Sequence, residues 1–504
     1  MASYSAIPGE PSEGDGRPAS AASSRGRRSR RGRKEAGVAG QASFASSVIN
    51  LVNTIVGAGV LAMPSALSHM GIFLGVVVII WSGLTAGFGL YLQVRCAEYL
   101  DRGSASFFAL SQMTYPNAAV IFDAAIAIKC FGVGISYLII IGDLMPGVMR
   151  GLTDRADDIG YLVDRHFWIT GFMLIVIPLS FLRRLDSLKY TSVVALISIG
   201  YLVILVVAHF IKGDTLQDRG EVHVFKWSGA IPTLASVPVI VFAYTCHQNM
   251  FSILNEISNN SHFRTTGVVM TSIGTACSIY ILVAITGYLS YGDNILGNIV
   301  SMYPPSVAST IGRAAIVILV MFSYPLQVHP CRASVDAVLK WRPMKRQAHQ
   351  SSDNSPSPSR STLLSGAPAA RPPSAEMSDI RFAAITTAVI VLSYIVAMTV
   401  SSLEKVLAYV GSTGSTSISF ILPGLFYYKI SSPSSPHHQR LMKEDDDEEY
   451  DGSGDDEGDG AGKSWKGKQW KRGLLRKLSL ALAIYGFVVM VVCLATNTFL
   501  IASH

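Results

Sequence analysis

Apolar runs long enough to cross a bilayer recur from one end of this chain to the other, and they dictate its solvent. They fall at about residues 44–67, 72–95, 120–149, 167–182, 187–211, 230–253, 265–290, 308–330, 380–400, 403–428 and 478–501. A membrane-crossing helix needs roughly 20 such residues, and only helices or closed barrels satisfy their own backbone in lipid. The pattern predicts an all-α polytopic membrane protein with eleven transmembrane helices. That count is open by one, because the fourth run is short and the ninth and tenth almost touch. Composition agrees, with 50% hydrophobic residues, 15% charged and a mean hydropathy of +0.38.

The first run, FASSVINLVNTIVGAGVLAMPSAL, is an odd helix. It carries Asn50, Asn53 and Thr54, then Gly57-Ala58-Gly59, then Pro64. Glycine frees the backbone from helical geometry and proline removes a donor, so a turn near the middle can unwind. In hydrocarbon the freed amides and carbonyls are costly unless protein, water or ligand satisfies them. A break here points to a binding site; the alternative is that the glycines only let helices approach closely.

The sixth run is also interrupted. Pro232 and Pro238 precede a polar centre, Tyr244-Thr245-Cys246-His247-Gln248-Asn249, which must face protein or a cavity. If runs one to five and six to ten form two halves, the two breaks occupy corresponding places. That correspondence is the sequence mark of a midplane site in an inverted-repeat transporter.

Lys and Arg set the orientation. With the N-terminus in the cytosol, 32 of the 41 lie on the cytosolic side, eight of them before the first run; Lys129 lies within a run. The asymmetry predicts a cytosolic N-terminus and, with an odd number of helices, a luminal or external His504. The net charge of +7 is thus a topology signal, and no nucleic-acid partner is expected. Residues 1–40 are rich in Ser, Gly, Pro and Arg and are expected to be disordered. Their basic cluster, Arg25 to Lys34, suits topology anchoring beside anionic lipid, with a regulatory arm as the alternative. The six cysteines lie in or at the edge of apolar runs, so neither a structural disulfide nor a metal site is expected. The sequon Asn259-Asn260-Ser261 falls on the cytosolic side and is expected to be unmodified.

Four stretches, SVINLVNTIVGAGVLAMP, AIKCFGVGISYLIIIGDLMP, VFAYTCHQNMFSILNEI and VGSTGSTSISFILPGLFYY, occur in runs one, three, six and ten. Together the chain resembles the amino acid/auxin permease superfamily, within it the fungal vacuolar amino acid transporters and, more distantly, the animal sodium-coupled neutral amino acid transporters. The resemblance covers residues 40 to 501 apart from inserted loops. It implies a LeuT-like fold, with ten helices in a 5+5 inverted repeat plus one, and secondary active transport of amino acids. In fungal members this usually means proton-linked transport at the vacuole, which becomes the expected location, with the plasma membrane second.

The residues suit such a substrate. An amino acid needs a carboxylate partner and an ammonium partner a few ångströms apart. Half-helix N-termini attract the first, and unwound carbonyls and side-chain oxygens the second. The backbone at Gly57, Ala58 and Gly59, with Thr54 beside it, is expected to hold the carboxylate. Phe242, Ala243, Tyr244 and Thr245 are expected to supply carbonyls and shape the pocket. Substitution of Gly57 or Gly59 by Leu is expected to abolish transport without loss of expression.

The coupling ion is a proton or sodium. By motif position, Asn53 and Ser323 resemble the sodium ligands of the sodium-coupled relatives. Lys129 lies within the third run, where a buried ammonium can replace a bound cation or pack as a structural pair with Asp123 or a helix carbonyl. His247 is either a proton carrier or a neutral hydrogen-bonded imidazole. Asp143 and Glu256, near opposite ends of their helices, are gate residues or ordinary caps.

In run ten, Gly411 to Ser417 places seven small or hydroxyl residues in mid-membrane. Gly411 and Gly414 read as a gating or packing element, and Gly132 and Gly134 suit the same close packing. Residues 343–379 are Ser/Pro-rich and expected to be disordered, with Ser355 and Ser357 open to phosphorylation. Residues 431–476 run from acidic to basic, and Trp465 and Trp470 suit the headgroup region. Residues 41–501 outside these loops form the transporter domain. An amino acid sensor on the same scaffold is the main alternative. An intramembrane enzyme would need a nucleophile with its base or a His-Glu-x-x-His cluster, neither of which is present; no cofactor is expected.

Overall fold

The computed structural model describes residues 40–100, 103–182, 191–258, 260–340, 377–440 and 461–502. Most of the expected disordered stretches 1–40 and 343–379, the acidic part of the 431–476 loop, Asn259 of the sequon and residues 187–190 lie outside them.

Helices dominate the described residues, whose single β-contact is an isolated parallel bridge between Ala42 and Ile257. In chain order they are α1 (Phe44–Ile55), α2 (Gly59–Ser68), α3 (Ile72–Ala97), α4 (Phe107–Thr114), α5 (Ala119–Leu152), α6 (Arg165–Ser180), α7 (Thr191–Lys212), α8 (Ala230–Ala243), α9 (His247–Glu256) and α10 (His262–Tyr291). There follow α11 (Ile299–Met302), α12 (Val307–Lys340), α13 (Asp379–Thr399), α14 (Leu403–Val410), α15 (Leu422–Ile430) and α16 (Ala461–Ala502).

Eight of the described helical stretches are long and apolar enough to cross a membrane, counting α8 with α9 as one, or nine if α1 and α2 form one span. Two other expected spans take different forms. The expected span 167–182 corresponds to α6, which ends at Ser180 and is 16 residues long, about 24 Å by helical rise. Residues 403–428 form α14 and α15 joined through two π-helical segments, Gly411–Ser415 and Ser417–Ile421. The last helix begins at Ala461, well before residue 478, so the basic stretch is helical rather than a loop. Lys, Arg and Gln are good helix formers, so the last span extends outward at little cost.

α5 and α12 make the most extensive packing contact and form one wall of the bundle, while α10 packs on α1, α2 and α3. The outward surface is apolar, as lipid requires: Phe73, Leu84, Leu174, Ile204 and Phe487 are all exposed. Inside, by contrast, small residues set the spacing. A Cβ on Gly132 of α5 would fall 2.0 Å from the Val410 side chain, and one on Gly414 would fall 2.8 Å from the Lys129 Cβ. Both glycines therefore sit at close helix contacts.

Candidate functional site

The two expected breaks are present and meet in the core. α1 ends at Ile55, Val56 turns to an extended conformation, and α2 starts at Gly59 after a bend of 56°. α8 ends at Ala243, and α9 starts at His247 after the turn Tyr244-Thr245-Cys246. Neither α2 nor α9 has a side-chain N-cap bond. The Val60 and Leu61 amides bond back to the Gly57 and Ala58 carbonyls at 3.1 and 3.3 Å, and the Asn249 amide to the Cys246 carbonyl at 2.9 Å, so it is the foremost amides of each half-helix that are left to draw an anion.

The breaks abut through Gly59. A Cβ there would stand 2.6 Å from the Ala243 Cβ, whereas a Cβ on Gly57 would meet nothing within 4 Å. The Gly57-Ala58-Gly59 run thus divides its roles: Gly57 borders open space and Gly59 is a packing contact. Thr54 donates to the Asn50 carbonyl at 2.9 Å and accepts from Asn249 of α9 at 3.3 Å, tying the two broken spans together. Phe242, Ala243, Tyr244 and Thr245 are all buried. The Tyr244 ring points towards α3 and α10, with its hydroxyl near Gly83 and its ring edge-on to Tyr280 at 5.1 Å. Thr245 accepts from Ser419 of the second π-segment at 3.2 Å, so the span-ten hydroxyls reach the break.

The other named residues scatter around this centre. Asn53 has a buried Oδ1 with no hydrogen-bond partner. Ser323 donates to the Leu319 carbonyl within its own helix. Lys129 is buried, close to Gly414 of span ten and among groups that include the Cys130 and Cys246 thiols and His247. His247 is fully buried, with Nε2 3.1 Å from the Ala86 carbonyl. A carbonyl only accepts, so Nε2 carries the proton and ties α9 to α3. Asp143 faces Arg165 of α6 at 3.9 Å. Glu256 uses its backbone: its carbonyl accepts from Ala42 at 2.9 Å, while Ser258 donates to the Ala42 carbonyl at 3.0 Å. A Cβ on Gly411 would lie 2.0 Å from the Pro238 carbonyl, so span ten leans directly on α8.

Three links were not legible in the sequence. Tyr280 of α10 reaches the last carbonyls of both α1 and α8. Asn255 of α9 bonds both the amide and the carbonyl of Ala105. Glu404 of α14 accepts from Ser65 of α2 at 3.0 Å and faces His69 at 3.6 Å. Nothing in local spacing separates Tyr280 from its neighbours Tyr288 and Tyr291; the register of α10 against the two breaks does.

Two half-broken spans packed break to break in a helical bundle define a membrane transporter of LeuT-like fold. The chain belongs to the transmembrane amino acid transporter protein family, whose pattern matches residues 40–445. It is 42% identical over 454 residues to vacuolar amino acid transporter 5 of Schizosaccharomyces pombe, covering 89% of this chain and 92% of that one. With vacuolar amino acid transporter 6 of Saccharomyces cerevisiae it shares 43% over 402 residues, 75% of this chain and 88% of the relative. The crystal structure of MhsT in complex with L-phenylalanine superposes with a TM-score of 0.53 at 13% identity, covering 92% of this chain and 100% of that one. That likeness concerns the fold alone. The protein is accordingly a multi-pass membrane protein of amino acid transport, and not an enzyme.

Proposed function

We propose that this protein moves neutral amino acids across the vacuolar membrane, driven by protons, with its N-terminus in the cytosol and its C-terminus in the lumen. The observation that carries the reading is the open face of Gly57 beside two uncapped half-helix N-termini, next to a break whose other side abuts Ala243. In this reading the substrate carboxylate sits on the amides at Gly57, Ala58 and Gly59, near Thr54. Its ammonium faces the carbonyls of the span-six turn from Phe242 to Thr245. The vacuolar assignment draws on the two fungal relatives named above. Ala42, Glu256 and Asn255 lie on the cytosolic side of this arrangement, and His69 and Glu404 on the luminal side.

A second reading, sodium coupling, is favoured by one observation: the Asn53 Oδ1 is buried without a partner, as an oxygen awaiting a cation would be. Uptake of radiolabelled amino acids into proteoliposomes, under a proton gradient or a sodium gradient imposed separately, separates the two. Proton-driven flux is the expected result. Flux that requires sodium transfers the coupling role to Asn53 and Ser323, and binding without flux under either gradient identifies a sensor.

A further inference from the structure

The Tyr280 hydroxyl lies 2.7 Å from the carbonyl of Ile55 and 2.8 Å from that of Ala243. These two residues are the last of α1 and of α8. The final carbonyls of a helix have no partner within it and carry the negative end of its dipole. A tyrosine hydroxyl has one proton, so two helix ends share a single donor. The side chain is fully buried, and Tyr244 packs edge-on against its ring. α1 and α8 do not pack along one another and come together end to end at this hydroxyl.

The two halves are anchored at opposite ends of the bundle. α1 is preceded by Ala42, which is bonded to Glu256 and Ser258. α8 carries Ser236, whose hydroxyl contacts His69 at 3.0 Å beyond the end of α2. We propose that Tyr280 is a positioning residue for transport: its shared proton holds the inner ends of the two broken spans in register, and so fixes the carbonyl side of the substrate site. Releasing either carbonyl leaves the proton wholly to the other, so movement of α1 is felt at α8. The proposal rests on amino acid flux through the two breaks and is independent of which ion drives it.

Tyr280→Phe keeps the ring and removes only the donor. Tyr291→Phe on the same helix is the control, because its hydroxyl is buried with no hydrogen-bond partner to lose. In full-length protein reconstituted in liposomes, Tyr280→Phe is expected to raise the KM for amino acid uptake about tenfold, with Vmax changed much less, while Tyr291→Phe stays near wild type. Hydrogen–deuterium exchange on the same purified proteins is expected to rise at both turns, 56–60 and 244–247, and little elsewhere. Exchange that is unchanged at both turns, raised at only one, or raised throughout α10 overturns the tie, as does a KM matching that of the control. Exchange does not depend on flux, so wild-type protein that fails to transport counts against the functional reading and leaves the tie to be judged by exchange alone.

Discussion

Gly59 at the start of α2 and Ala243 at the end of α8 are in contact so close that a methyl group on the glycine would stand 2.6 Å from the alanine Cβ. One broken span is thereby seated against the other, with no room for a side chain between them. Gly59→Ala is expected to destabilise the protein by about 1–3 kcal/mol through overpacking, read as a lower melting temperature in detergent. Gly57→Leu is expected to behave differently, because its side chain enters open space. It should leave the melting temperature near wild type and reduce uptake at least tenfold by filling the site. Normal uptake by Gly57→Leu would remove this residue from the substrate site.

On the opposite side of the break, Glu404 holds Ser65 and faces His69. The His69 and Glu404 side chains are 37% and 26% exposed, a setting in which an ion pair adds about 0–1 kcal/mol to stability. Glu404→Ala should therefore lower stability by about 1–2 kcal/mol, chiefly by leaving the buried Ser65 hydroxyl without its acceptor. A further effect is expected in kinetics, as a several-fold change in uptake Vmax, because α2 is released from α14. Equal initial rates in mutant and wild type would show that this contact plays no part in the transport cycle.

Asn255 and Ala42 hold the end of α9 from two directions. Asn255→Ala removes two hydrogen bonds to Ala105 and leaves a partly buried amide and carbonyl without partners. A loss of about 1–3 kcal/mol follows. Faster hydrogen exchange over residues 253–258, with the rest of the bundle unchanged, is the expected signature. Ala42→Pro, which deletes the donor to Glu256, should give the same local pattern.

Asp214, just beyond the end of α7, gives a pH dependence with a definite sign. Burial pushes its carboxyl up, but hydrogen bonds from His209 and Lys212 outweigh this and hold it below its ordinary value. A carboxylate whose folded pKa is depressed stabilises the fold above its unfolded pKa, about 3.9, and loses that contribution as pH falls through the folded value. Asp214→Asn is therefore expected to lower stability by about 1–2 kcal/mol at pH 5–7. The gap from wild type should close as the pH drops below about 4. A gap that failed to narrow at all as the pH fell below about 4 would assign the effect to packing instead of charge.

The solvent, the helical class and the positions of both breaks were legible in the chain itself. Long apolar runs leave a backbone no option in lipid but a helix, and Gly57-Ala58-Gly59 and the polar turn after Ala243 remove that option locally, whatever surrounds them. The family resemblance rested on the same stretches, and the matched residues 40–445 bear it out. Tertiary structure decided what each break faces. Of two glycines one residue apart, Gly59 packs and Gly57 is open. His247 turned out to bond a neighbouring helix, and Glu256 to act through its backbone. Tyr280 meets Ile55 across 225 residues of chain. Such contacts depend on the rotation and register of whole helices. In a bundle apolar on its lipid face as well as in its core, hydrophobic periodicity does not specify that rotation, and close packing of small residues does.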